Sequence, residues 1–146
     1  MKRVRTIAVV AVGVSALVLA GCGDDDGSGA DGAVVEISAH DDLRFEPSSV
    51  TVSAGEPVTF VVINEGETVH EFVLGPEMVQ MAHEEMSAEG MEHEEMEVEG
   101  QLAALAIEPG ETEEVTVTFE EPGEMPFGCH EPGHFDGGMV GTVTVE

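Results

Sequence analysis

A chain of 146 residues has the length of one domain, and its formal net charge of −27 sets 31 Asp and Glu against four Lys and Arg. That balance excludes nucleic acid, whose binding rests on Lys and Arg that release counterions, and it leaves no basic patch for docking on an anionic bilayer. Metal cations and basic proteins remain as partners, general solubility or adaptation to high salt explains the same charge, and the lack of Trp and Tyr leaves a core of Val, Ile, Leu and Phe.

The amino end reads as a targeting segment, residues 1–21. Lys2, Arg3 and Arg5 precede an apolar run, 7–20, broken only by Gly13 and Ser15; it is short for a membrane span and has the shape of a secretory signal. Leu19-Ala20-Gly21-Cys22 resembles the lipobox of bacterial lipoproteins, which implies cleavage before Cys22 and lipidation of that residue. The plainer alternative is a soluble secreted protein cut at an ordinary small-residue site. Residues 22–33 are rich in Gly and Asp and read as a flexible tether. The chain is thus expected at the extracytoplasmic face of the cell membrane, held by lipid alone. If Cys22 is lipidated, Cys129 is the sole remaining thiol in an oxidising compartment, a liability unless it is buried or bound.

From residue 34 onward short apolar runs alternate with turn residues. Strands are predicted at 34–39, 49–53, 58–64, 69–74, 114–119, 125–129 and 140–145, with period-two alternation clearest in Val115-Thr116-Val117-Thr118-Phe119 and Val143-Thr144-Val145. Ala54-Gly55-Glu56-Pro57, Glu65-Gly66-Glu67, Glu108-Pro109-Gly110-Glu111 and Glu121-Pro122-Gly123-Glu124 supply turn chemistry between them. Short strands at this spacing predict an all-β, Greek-key β-sandwich over residues 34–146.

Residues 76–101 interrupt that pattern with an acidic Met/His/Glu-rich insertion. It holds a ten-residue repeat, M-x-H-E-E-M-x-x-E-G, starting at Met81 and again at Met91, with three Glu in the first unit and five in the second. Each unit is expected to form a short helical stretch, in which His and Met three residues apart share a face. Repulsion among the carboxylates predicts mobility unless a cation is bound.

The densest chemistry lies in Cys129-His130-Glu131-Pro132-Gly133-His134-Phe135-Asp136-Gly137-Gly138-Met139. A thiolate, imidazoles and a thioether form a soft donor set, and two His with one Cys in a plane and a weak axial Met is the blue-copper arrangement. One tight loop between two strands brings Cys129, His134 and Met139 towards one point. A further donor must come from another strand, and His70 in Thr68-Val69-His70-Glu71-Phe72 is the candidate. Pro132 and Gly133 turn the loop, while Gly137 and Gly138 permit close backbone approach. His130 should face away from the ligands as a surface histidine, with a ligand to a second metal as the alternative. Asn64 either braces a ligand loop or merely ends a strand, and His40, beside Asp41 and Asp42, reads as part of a solvated loop. Taken singly these are an ordinary buried thiol, loop histidine and core methionine; their joint spacing points to copper.

Residues 123–134, continued by Gly141-Thr142-Val143-Thr144-Val145, resemble the cupredoxin family of plastocyanin- and azurin-like copper proteins, and the resemblance spans about residues 34–146. It implies a seven- or eight-stranded sandwich holding one copper ion through His70, Cys129, His134 and Met139. The insertion is a departure, because minimal electron-transfer members lack it.

Enzyme chemistry finds little support. A trinuclear oxidase cluster needs His-x-His pairs and a binuclear centre needs a second thiolate near Cys129; the sequence has neither. No oxyanion-hole motif accompanies the thiol. The expected function is a monomeric type 1 copper electron carrier, cycling Cu(II)/Cu(I) and meeting a basic redox partner protein. The alternative is extracytoplasmic copper handling or resistance, with Met81, His83, Met86, Met91, His93 and Met96 as additional metal ligands. A solvated acidic loop whose methionines cover the sandwich is the bland account of those six.

Overall fold

The computed structural model describes residues 32–91, 93 and 96–146, so the expected leader, Cys22 and most of the tether lie outside the described residues. The elements in chain order are β1 (Ala33–His40), β2 (Arg44–Glu46), β3 (Ser49–Val52), β4 (Pro57–Asn64), β5 (His70–Leu74), α1 (Glu77–Ala88), β6 (Ala103–Ile107), β7 (Thr112–Thr118), β8 (Gly123–Gly128) and β9 (Val140–Val145). One sheet runs β2-β1-β4-β7 and the other β3-β9-β8-β5-β6. The β1/β4 and β3/β9 pairs are parallel, and the other pairs are antiparallel. The two-sheet sandwich expected from the patterning is present, with one short helix added. Among the described residues no helix is long and apolar enough to cross a membrane.

Period-two patterning decides which face of each strand is dry. In β4, Val58, Phe60, Val62 and Asn64 are buried while their neighbours are exposed or half-buried. The Phe residues knit the two sheets together: Phe72 lies 5.1 Å from Phe127 and 5.6 Å from Phe60, and Phe45 stands edge-on to Phe127 at 5.2 Å, measured between ring centroids. Ile37, Leu74, Ile107, Val117 and Val143 fill the space around them.

The structure adds β2 and β6 to the predicted strands. β2 has three residues, and Arg44 and Glu46 hide the one apolar residue, Phe45, that anchors it in the core. β6 is mostly Ala, a residue of weak β propensity, yet it pairs along the whole of β5, from His70↔Ile107 to Leu74↔Ala103. That pairing makes β5 an interior strand. Because α1 also packs against β5 and β8, every residue of β5 is buried.

The insertion differs from expectation in its second half. The first repeat unit is helical within α1, which buries Val79, Gln80 and His83 on one face. Gln80 Nε2 donates to the carbonyls of Val73 (3.0 Å) and Gly75 (3.1 Å), fastening α1 to the end of β5. Gly90, at φ +78°, follows the end of α1. The described residues of the second unit do not continue as α-helix: His93 lies in a short 3₁₀ turn, and Met96 is buried without regular structure.

Candidate metal centre

His70 opens β5, Cys129 follows the last residue of β8, His134 lies in the loop, and Met139 directly precedes β9. The loop is closed by its own backbone. Cys129 N–H donates to Met139 O (3.1 Å), Met139 N–H to His134 O (3.0 Å), and His134 N–H to Glu131 O (2.9 Å). Close packing constrains it further, since a Cβ on Gly137 would collide with Leu43.

These constraints bring His70, Cys129 and His134 together, with one donor atom from each lying within 4.8 Å of the others. Cys129 Sγ and His134 Nδ1 are 3.4 Å apart, and the two imidazole rings are 5.2 Å apart between centroids. Cys129, His70 and Met139 are all fully buried, whereas His134 is half-buried and marks the edge of the site.

Each nitrogen of His70 has a distinct place. Nε2 lies 3.1 Å from Asp41 Oδ1, while Nδ1 is buried with no hydrogen-bond partner among the described residues. A carboxylate that holds one ring nitrogen and leaves the other free is the outer-shell arrangement of a metal-ligating histidine. Asp41 is itself held by Glu67 N–H (2.7 Å) and the Thr68 hydroxyl (2.9 Å), and these donors lower its pKa to about 2, the Glu67 amide contributing most. Asp41 is therefore part of the site, although its sequence position, 29 residues from His70, suggested only a solvated loop.

Asn64 resolves to the bracing role. Its side chain is buried, with Nδ2 donating to Thr68 O (2.7 Å) and Ile107 O (2.8 Å) and Oδ1 accepting from Gly66 N–H (2.8 Å). The turn ahead of His70 is thereby tied to β4 and β6.

Burial pushes the Cys129 thiol up to about 12, against the opposing pull of the Glu71 and Glu131 amides that donate to its sulfur. Burial, reinforced by the neighbouring His70, lowers the pKa of His134 and keeps its imidazole available as a donor. The proton on Cys129 must leave when a cation is taken up. Affinity for copper is accordingly expected to rise about tenfold per pH unit between pH 7 and 9, one proton being released per ion. Competition titrations across that range check the slope, and a flat profile contradicts it.

His130 corrects the sequence reading. It is almost fully buried, not a surface histidine. Its Nε2 lies 2.8 Å from Gln80 Oε1 and its Nδ1 lies 3.1 Å from Glu84 Oε2, both on α1, and its ring stacks on Phe135 at 4.6 Å. A helix predicted only as an insertion thus supplies the cover that buries it. His130→Ala is expected to lower stability by about 2–4 kcal/mol, from lost packing and stranded polar groups, while leaving the coloured copper site intact. Thermal melts and absorption spectra together check this.

The six insertion residues do not share one site. His83 is buried, with Nε2 3.0 Å from Gln101 Oε1, while Met81 is exposed and lines a groove with Met78 and Phe135. Met91, His93 and Met96 line a different cavity, beside β5.

The buried thiol, the unpartnered His70 Nδ1 and the adjacent His134 form a nitrogen–sulfur donor set that fits copper. The profile of copper binding proteins of the plastocyanin/azurin family matches residues 33–146. Copper-resistant cuproprotein CopI of Rubrivivax gelatinosus is 39% identical over 111 residues, 76% of this chain and 65% of that protein, so the chain spans just under two thirds of that relative's length. The CopI of Pseudomonas aeruginosa is 32% identical over 130 residues, 72% of each chain. Dithionite-reduced auracyanin from Roseiflexus castenholzii superposes with a TM-score of 0.70 at 28% identity, covering 78% of this chain and 97% of that one.

Proposed function

This chain belongs to the plastocyanin/azurin family of copper-binding proteins, and on that footing we propose that it is an exported type 1 copper protein acting as a one-electron carrier. The carrying observation is the preorganised donor set, with a dry thiol, a histidine nitrogen left free and a second histidine at the edge. A copper ion held by His70, Cys129, His134 and the weaker thioether of Met139 supplies a Cu(II)/Cu(I) couple there. The protein's part is to hold those side chains nearly still, through the 129–139 loop hydrogen bonds, the Asp41–His70 contact and the Asn64 brace. A scaffold that moves little between oxidation states keeps the reorganisation cost low.

The half-buried His134 is the natural place for a partner to approach. Arg44 is the only Lys or Arg after residue 5, and it is already bound by Asp42 and Glu46. A basic redox protein is therefore the favoured partner, met briefly by a monomer. Export and lipid attachment at Cys22 belong to the same proposal and rest on the amino-terminal sequence. Stopped-flow reduction by basic and acidic redox proteins tests the role. Fast reduction by the basic partner, slowing as salt is added, supports it; rates indifferent to partner charge count against it.

Copper handling is the second reading. It is favoured by the relatives named copper-resistant cuproprotein and by the convergence of Met91, His93 and Met96 on one cavity. Loss of copper tolerance on deletion of the chain, restored by a variant that binds copper but reduces slowly, would select this reading over electron transfer.

A further inference from the structure

The residue after His70 points the opposite way. His70 faces the metal centre, whereas the Glu71 side chain turns out of the sheet beneath the insertion. There it lines a cavity of about 270 Å³ whose walls also include Met91, His93, Met96, His130 and Glu131. Glu71 is only 3% exposed. Its Oε1 lies 2.8 Å from His93 Nδ1, a contact that raises the His93 pKa, while Oε2 has no partner among the described residues. Leaving one oxygen of a dry carboxylate without a partner is unfavourable, and a cation in the cavity would engage that Oε2.

We propose that Glu71, His93 and Met96 form a second copper site, with Met91 at its mouth, distinct from the His70–Cys129–His134 centre. The proposal deepens the copper-handling reading and rests on it. Two donors sharing one ion at bond lengths of about 2.0–2.1 Å, at a right angle, stand about 3 Å apart; the Glu71–His93 pair is already near that separation. Met96 is buried, so its thioether is held at the site without an ordering cost. Imidazole and carboxylate accept Cu(II), and thioether retains Cu(I). His130 is not a ligand here, because Gln80 and Glu84 already engage both its nitrogens. His83, Met81 and Met86 of the first repeat are not among the walls of the cavity. The second repeat therefore supplies this site and the first supplies its helical roof support.

The test is a Cu(II) titration of the full chain, read by absorption and electron paramagnetic resonance together. The first equivalent should fill the centre with the intense thiolate band. A second should bind with an imidazole-nitrogen signal and no added thiolate absorption. Glu71→Gln and His93→Gln should each weaken the second equivalent by at least tenfold, and His93→Gln should leave the first-equivalent band, which also reports folding in the same sample. Met96→Leu should speed loss of the second ion after reduction with ascorbate, and His83→Gln should change nothing. Saturation at one equivalent overturns the proposal, as does a second equivalent held equally well by Glu71→Gln and His93→Gln. A chain that gains the imidazole signal but never the thiolate band refutes the type 1 reading alone.

Discussion

Cys129→Ser is expected to abolish the intense thiolate-to-copper absorption and to weaken copper binding by about 100-fold or more, since even outer-shell changes cost about 10–100-fold. The sulfur is fully buried and receives the Glu71 N–H at 3.3 Å. It is thus positioned by the β5 backbone before any metal arrives. A serine oxygen is harder, less polarisable and sits closer to its Cβ, so it neither reaches the same point nor provides the charge-transfer band. The fold should survive, because the change removes little volume from a core built on Phe, Val, Leu and Ile. Circular dichroism should match the wild type while the visible spectrum is empty. An intense band persisting in the variant would have to come from Cys22, the only other cysteine in the chain, and would overturn both the assignment and the lipidation of Cys22.

Asn64→Leu should cost about 2–4 kcal/mol of apo-protein stability, out of the roughly 5–15 kcal/mol typical of a domain. The side chain is 1% exposed, and its amide satisfies Thr68 O, Ile107 O and Gly66 N–H at once. Leucine conserves the volume but leaves those backbone groups unpaired, and the Ile107 carbonyl is buried enough to carry the full penalty. The melting temperature should fall by roughly 8–16 °C. The turn that precedes His70 is released in the same step, so copper affinity should drop as well. Calorimetry on the apo protein and copper competition check both halves; a variant that melts at the wild-type temperature would show that the brace contributes little.

Much of the sandwich was legible because its strands alternate Val and Thr or Val and Phe, and because Gly-Pro-Glu turns separate them. Every predicted strand is present, with ends shifted by up to two residues. β6 was not legible, since Ala103-Ala104-Leu105-Ala106 has no pattern of its own and becomes a strand only through β5. The loop donors Cys129, His134 and Met139 announce themselves by spacing. Asp41, Glu71 and Gln80 do not, because each acts on a residue that only the fold brings near. His130 was misread for a related reason: alternation alone sends it outward, and only the packed helix makes that outside dry.

The lone engaged guanidinium of Arg44 carries a consequence for encounters between identical molecules. Two copies meet acid against acid in nearly every orientation, so like approaches like most slowly in dilute buffer. Added salt shortens the reach of that repulsion, to about 10 Å at 0.1 M. For the proposed electron carrier, self-exchange between copies should therefore quicken with ionic strength, opposite in sign to exchange with a cationic donor, and traffic would be directed outward to other proteins rather than sideways among siblings.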